Sequence, residues 1–203
     1  MKPLISLTIL LLLASTSAGQ DARQHNHHNL NVKIDIAKSY IVVTDTIDLS
    51  DSAMNTFYLN SNLTIYESNF DYKEIGDKNH YKKIKIKDPV EGNELIIKYK
   101  GVLADNKNEL ENGGHAHRTT STSGIIYPGG IYLAGETRWV PDFENVDLKT
   151  FSIRVSTDKD WSLVSQGDRV SKYETDDKTH SLFRMNHPTN QVCLVGNQWT
   201  RYS

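Results

Sequence analysis

From Leu30 onward, apolar residues recur at every second position, and this alternation limits what the chain can fold into. LNVKIDIA sets Leu30, Val32, Ile34 and Ile36 against Asn31, Lys33 and Asp35. Only extended backbone sends successive side chains to opposite faces, so the segment reads as a half-buried strand. SYIVVTDTIDL (Ser39 to Leu49) reads as its partner, joined through a short turn at Lys38. Short strands follow near Phe57 and Ile65, then YKKIKIK (Tyr81 to Lys87) and ELIIKYKGVL (Glu94 to Leu103) after the turn Glu91-Gly92-Asn93. The pattern returns in GIIYPGGIYLAG, FSIRVST (Phe151 to Thr157), WSLVSQG (Trp161 to Gly167), RVSKYET, HSLFRMNH and QVCLVGNQWTRYS. No segment carries a helical period. Short strands between turn residues at this spacing predict an all-β fold, a sandwich or saddle-shaped pair of antiparallel sheets.

The first residues stand outside that pattern. Met1 and Lys2 precede the apolar run LISLTILLLLA, and the small residues ASTSAGQ follow. This is the build of a secretory signal peptide, with cleavage expected near Ala18 or Gly19. The run is shorter than the roughly 20 residues that span a bilayer, so no membrane span is expected after cleavage. Residues 1–19 are assigned to the signal peptide, 20–29 to a flexible polar tail, and 30–203 to one β domain, secreted or periplasmic. Asp105 to Ser123 is polar, contains glycine and is read as a long surface loop. Cys193 is the only cysteine, so no internal disulfide forms, and its apolar setting VCLV makes it a small core residue. Asn62-Leu63-Thr64 is a glycosylation sequon, relevant only in a eukaryotic source.

Charge excludes one class of partner. With 23 Lys+Arg against 25 Asp+Glu the chain lacks the basic surface that nucleic-acid backbones require. The sequence holds no HExxH, no GxSxG, no phosphate-binding glycine loop and no EF-hand loop. Two histidine groups remain: His25, His27 and His28 in the tail, and His115 with His117 in the loop. A metal site needs three or four fixed ligands, so these read as solvated polar residues and no metal is assigned. The segment YLAGETRWVPDF (Tyr132 to Phe143) is denser in chemistry. Gly135 and Pro141 bracket it, so the backbone turns there. One reading makes it a structural corner, with Trp139 and Phe143 plugging the sandwich edge and Glu136 in solvent or paired with Arg138. The other turns the corner toward a ligand cleft or a partner surface.

GIYLAGETRWVPDF, then FSIRVST, then WSLVSQG, resemble the N-terminal β domain of the zinc aminopeptidases of the aminopeptidase N and leukotriene A4 hydrolase type. The matching residues are Trp139 with Pro141, Phe151 with Val155, and Trp161, Val164, Ser165 and Gly167. NLNVKIDIAKSYIVVTDTIDL resembles that domain's first hairpin, and NHPTNQVCLVGNQWTRYS its last strands. In the family a catalytic domain follows, carrying the zinc ligands, the glutamate base and the GxMEN loop. Neither HExxH nor GxMEN occurs here. The resemblance therefore implies a non-catalytic domain with no cofactor of its own, since zinc would belong to the missing catalytic part. It implies a partner, either that catalytic domain or a peptide. It assigns Glu136 to binding a substrate amine, and Tyr132, Arg138, Trp139 and Trp199 to the partner-domain interface. A free-standing sandwich that binds a glycan, peptide or protein is the competing expectation.

Overall fold

The computed structural model describes residues 25–51, 54–78, 80–88, 91–104, 123–144 and 148–198. The alternating segments become β1 (Asn26–Asp35), β2 (Tyr40–Asp48), β3 (Thr56–Asn60), β4 (Leu63–Ser68), β5 (Tyr72–Lys78), β6 (Tyr81–Ile86) and β7 (Glu94–Val102). After residues 105–122 come β8 (Ile125–Tyr127), β9 (Gly130–Leu133), β10 (Asp142–Phe143), β11 (Lys149–Asp158), β12 (Ser162–Ser165), β13 (Asp168–Glu174), β14 (Lys178–Thr189) and β15 (Leu194–Asn197). The only helical segments among the described residues are 3-10 turns at Glu91–Asn93 and Gly135–Thr137. The all-β expectation holds, with three sheets in place of two.

The largest sheet has seven strands in the order β13-β14-β11-β1-β2-β7-β4. Its one parallel pair, β1 with β11, joins segments more than a hundred residues apart, Asn26 lying opposite Lys149. Two four-stranded sheets, β10-β3-β6-β5 and β12-β15-β9-β8, complete the architecture. One continuous core joins all three. Leu30, Val32, Ile153 and Ile97 from the large sheet share it with Phe57 and Ile84 of the second sheet and Leu133, Leu163 and Leu194 of the third. Each such side chain, fully buried, stabilises the fold by about 1.5–3 kcal/mol.

The strand β1 begins at Asn26, four residues before the start that the sequence pattern gave, so residues 26–29 are not a flexible tail. The pattern hid this end because its inward residues are polar. Asn26 is buried and accepts hydrogen bonds from the backbone N–H and hydroxyl of Ser50, at 3.0 and 3.2 Å. His28 is fully buried, and its Nδ1 lies 2.7 Å from Asp45 Oδ2. Each inward side chain has a partner, Asn26 at Ser50 just beyond β2 and His28 on β2, which offsets part of the cost of burial, although His28 Nε2 and Asp45 Oδ1 have none among the described residues. Residues 20–24 and the loop assignment over 105–122 lie outside the described residues. Ser123, at the end of that loop, is buried. Cys193 is half-buried, not a core residue.

Tyr99 occupies the middle of the core with its ring fully buried and its hydroxyl without a hydrogen-bond partner among the described residues. Burial, then the charge of Asp45, pushes its phenol well above the ordinary value of 10.0. A pKa raised on folding contributes stability that is complete below the unfolded value and lost as pH rises beyond it. Stability against urea should therefore fall above about pH 10. Tyr99→Phe is expected to leave stability at pH 7 unchanged or raise it by up to about 1 kcal/mol, because it removes an unpaired buried hydroxyl. It should also flatten the alkaline fall. Urea unfolding of both proteins at pH 7 and pH 10.5 tests this. A loss of more than about 2 kcal/mol at pH 7 would show that the hydroxyl is bonded after all.

Candidate functional site

The corner after β9 is built by one buried asparagine that the sequence analysis overlooked. Asn60, at the end of β3, donates through Nδ2 to the carbonyls of Ser123 and Thr137, both at 2.7 Å. Its backbone N–H donates to the carbonyl of Arg138 at 2.8 Å. Thr137 is buried, and its hydroxyl donates to the Ala134 carbonyl at 2.7 Å. These bonds hold Arg138 in the left-handed region, at φ 49° and ψ 39°, where a side chain costs roughly 1–2 kcal/mol. A polar residue at the end of an apolar strand was the available signal, and it reads as an ordinary strand end unless its partners are known.

Trp139 turns inward from that corner. It is 1% exposed, and its indole N–H donates to the Val192 carbonyl at 2.8 Å. It therefore belongs to the core, and its assignment to a partner-domain interface is corrected. Arg138 turns the other way. Its guanidinium lies 4.7 Å from the Tyr58 ring centre and 4.3 Å from that of Tyr81, so both ring faces attract the charge. Its Nη1 donates to Asp142 Oδ2 at 2.8 Å, while Lys149 Nζ donates to Asp142 Oδ1 at the same distance. The ion pair expected with Glu136 does not form, because the left-handed turn aims Arg138 toward β10 and β3. Glu144 closes the cluster, accepting from the Tyr58 hydroxyl and from Lys83. Those two bonds, Lys83 first, hold its carboxyl below the usual range, and the same carboxylate raises the Tyr58 phenol.

Two clefts flank Arg138, Asp142 and Asn190. The smaller, about 250 Å³, is lined by Gly135, Glu136, Trp139 and Gln191 among others. The larger, about 670 Å³, is lined by Tyr58, Phe143, Glu144 and Pro188. Glu136 is exposed at the rim of the smaller cleft, with no protein partner for its carboxylate among the described residues. The structure thus brings Glu136 and Arg138 to one cleft.

Tyr132 lies elsewhere, on the outer face of the third sheet. Cross-strand register sets Val164 opposite Val195, Val195 opposite Tyr132, and Tyr132 opposite Ile125. These four form one apolar row across the sheet, with Tyr132 47% and Val164 55% exposed. Directly opposed side chains on one face lie about 5 Å apart, so the row is contiguous. Sequence reading found Tyr132 and missed Val164, Val195 and Ile125, since only the register aligns them. Trp199 lies outside the described residues.

The histidines of β1 do not converge. His27 Nδ1 lies 2.8 Å from Thr150 Oγ1, while His28 points to the opposite face and Asp45. His115 and His117 lie outside the described residues. Among the described residues no three His, Cys, Asp or Glu side chains gather in a way that fits a metal ion. No helix there is long and apolar enough to cross a membrane.

The sequence matches no protein-family model and no curated protein. Solved structures do match. The M1 zinc metallopeptidase from Deinococcus radiodurans superimposes with a TM-score of 0.61 at 13% identity, covering 86% of this chain and 42% of that one. A mutant of that enzyme bound to a Tyr-Ser-Ala substrate gives 0.59 at 14% identity, with the same coverage. A mutant two-domain M1 zinc metallopeptidase bound to L-arginine gives 0.52 at 15% identity, covering 86% and 41%. The chain spans less than half the length of these peptidases, and what it shares with them is the fold of that part.

Proposed function

We propose that this chain acts as the non-catalytic N-terminal β domain of a secreted zinc aminopeptidase system, seated against a catalytic part that supplies the zinc. The observation that carries this reading is the apolar row Ile125, Tyr132, Val195 and Val164 on a fold shared with part of an M1 peptidase. Open apolar strips on a sheet face stabilise a fold only when covered. Glu136, at the rim of its cleft and without a partner for its carboxylate among the described residues, is then the group offered to the amine of a peptide. The secretory leader expected from the sequence of residues 1–19 supports the secreted part of this reading.

The purified chain is expected not to hydrolyse amino-acid anilides, with or without added zinc. Isolated from its source, it should travel with a zinc peptidase, either as a bound subunit or as part of a longer polypeptide. Tyr132→Ser with Val164→Ser should release a bound subunit while leaving the fold intact. Zinc-dependent turnover by the clean chain, or recovery of the native chain as a lone species, overturns the proposal.

A further inference from the structure

The centre of the outer face of the seven-stranded sheet has a charge distribution that the whole chain does not. On β14, β11, β1, β2 and β7 the register aligns three central rows of outward residues: Ser156 opposite His180 and Lys33, Arg154 opposite Asn31, and Ser152 opposite Arg184. Continuing through β2, Lys100 and Lys98 fall in the first two of these rows. The block holds five cations, Lys33, Lys98, Lys100, Arg154 and Arg184, and no carboxylate, in a chain whose net charge is −2. Acids border the block on every side. Asp35 and Asp158 lie on the outward row beyond Lys33 and Ser156, paired with Lys38 and Lys178, while Asp48 and Glu94 lie outward at the other end of β2 and β7. Glu67 of β4 binds Lys98 at 2.6 Å, and Asp168 of β13 lies opposite Arg184. Lys33, Lys100, Arg154 and Arg184 form no ion pair among the described residues, although Lys100 sits 5.0 Å from the Tyr66 ring centre. Strand spacing puts the β1 and β7 cations of one row about 10 Å apart.

At one side of the block a cleft of about 300 Å³ is lined by Asn31, Arg154, Ser156, Tyr173 and His180. The Tyr173 ring stacks on His180 at 4.7 Å and 14°, and Tyr173 is 59% exposed. Recognition here has to run through side chains, because both edges of every central backbone are consumed in the sheet. That disfavours an added peptide strand. The interleaved Asn, Ser and Thr side chains offer donors and acceptors suited to hydroxyls, the aromatic wall suits a sugar ring, and arginine forks suit oxyanions. We infer that this face binds an extended sulfated polysaccharide, with Arg154 and Lys33 at its centre and Tyr173 stacking at one end. The inference is independent of the peptidase reading, which concerns the third sheet and the corner.

The test is isothermal titration of the purified full chain with a sulfated heparin octasaccharide at 50 and 150 mM salt. Binding is expected at both, weaker at the higher salt because exposed charge pairs are screened. Arg154→Glu with Lys33→Glu should weaken it at least roughly tenfold, since each lost charge-assisted bond is worth a factor of about ten. Tyr173→Ala should weaken it several-fold. All these residues face solvent, so the thermal midpoint should hold, and Arg154→Gln with Lys33→Gln serves if charge reversal unfolds the chain. No binding at 50 mM salt overturns the inference, as does binding unchanged in the double variants. Polyglutamate or a single-stranded oligonucleotide bound as tightly as the octasaccharide also overturns it, since the face would then not select a sulfated glycan.

Discussion

Asp45→Ala is expected to cost about 3–5 kcal/mol of folding stability. Both side chains of the His28–Asp45 pair are wholly buried, 2.7 Å apart, on the inner face of the large sheet. Alanine at 45 leaves the imidazole in an apolar core with both nitrogens unpaired, since Nε2 already lacks a protein partner. A buried polar group without partners costs the full desolvation penalty. Domains of this kind are stable by only about 5–15 kcal/mol, so the loss lies between about a fifth of the total and all of it. Replacing both residues, His28→Leu with Asp45→Leu, is expected to recover most of it, because nothing polar is then left alone. Guanidinium unfolding of His28→Leu, of Asp45→Leu and of the double closes the cycle, with Asp45→Ala measured beside them. A cost under about 1 kcal/mol for Asp45→Ala would mean that the pair is not the buried lock described here.

That pair also marks where the sequence stops being readable. Alternation reveals a strand when its inward residues are apolar, as at Leu30, Val32 and Ile34. It fails where they are polar and bonded to a neighbouring segment, as at Asn26 and His28. It also fails for β5, YKEIGDK, whose described side chains are mostly exposed and whose register shifts between Glu74 and Gly76. Period two says that a residue is in a strand, not which strand lies beside it. Hence three sheets emerged where two were expected, and the parallel contact of β1 with β11 had no local signal. The corner shows the same limit. Pro141 and Gly135 announced a turn, but the direction of Arg138 depends on Asn60, nearly eighty residues earlier. The apolar row and the basic face exist only once register is known.

Trp139 and Tyr132 look alike in the sequence, two aromatics seven positions apart in one loud segment, and the structure gives them opposite work. Trp139→Ala should cost about 3–5 kcal/mol, the usual range for emptying a buried aromatic site. Trp139→Phe keeps most of the volume but strands the Val192 carbonyl, which loses its 2.8 Å bond from the indole N–H. It should cost about 1–3 kcal/mol. Tyr132→Ser, at a position 47% exposed on the third sheet, should change stability by no more than about 0.5 kcal/mol. Thermal unfolding of the three variants orders them. If Tyr132→Ser destabilises as much as Trp139→Phe, the apolar row is part of this domain's own core, and the face proposed to receive a catalytic partner is already filled. If the order holds, the row is spare apolar surface, and its cover has to come from outside these residues.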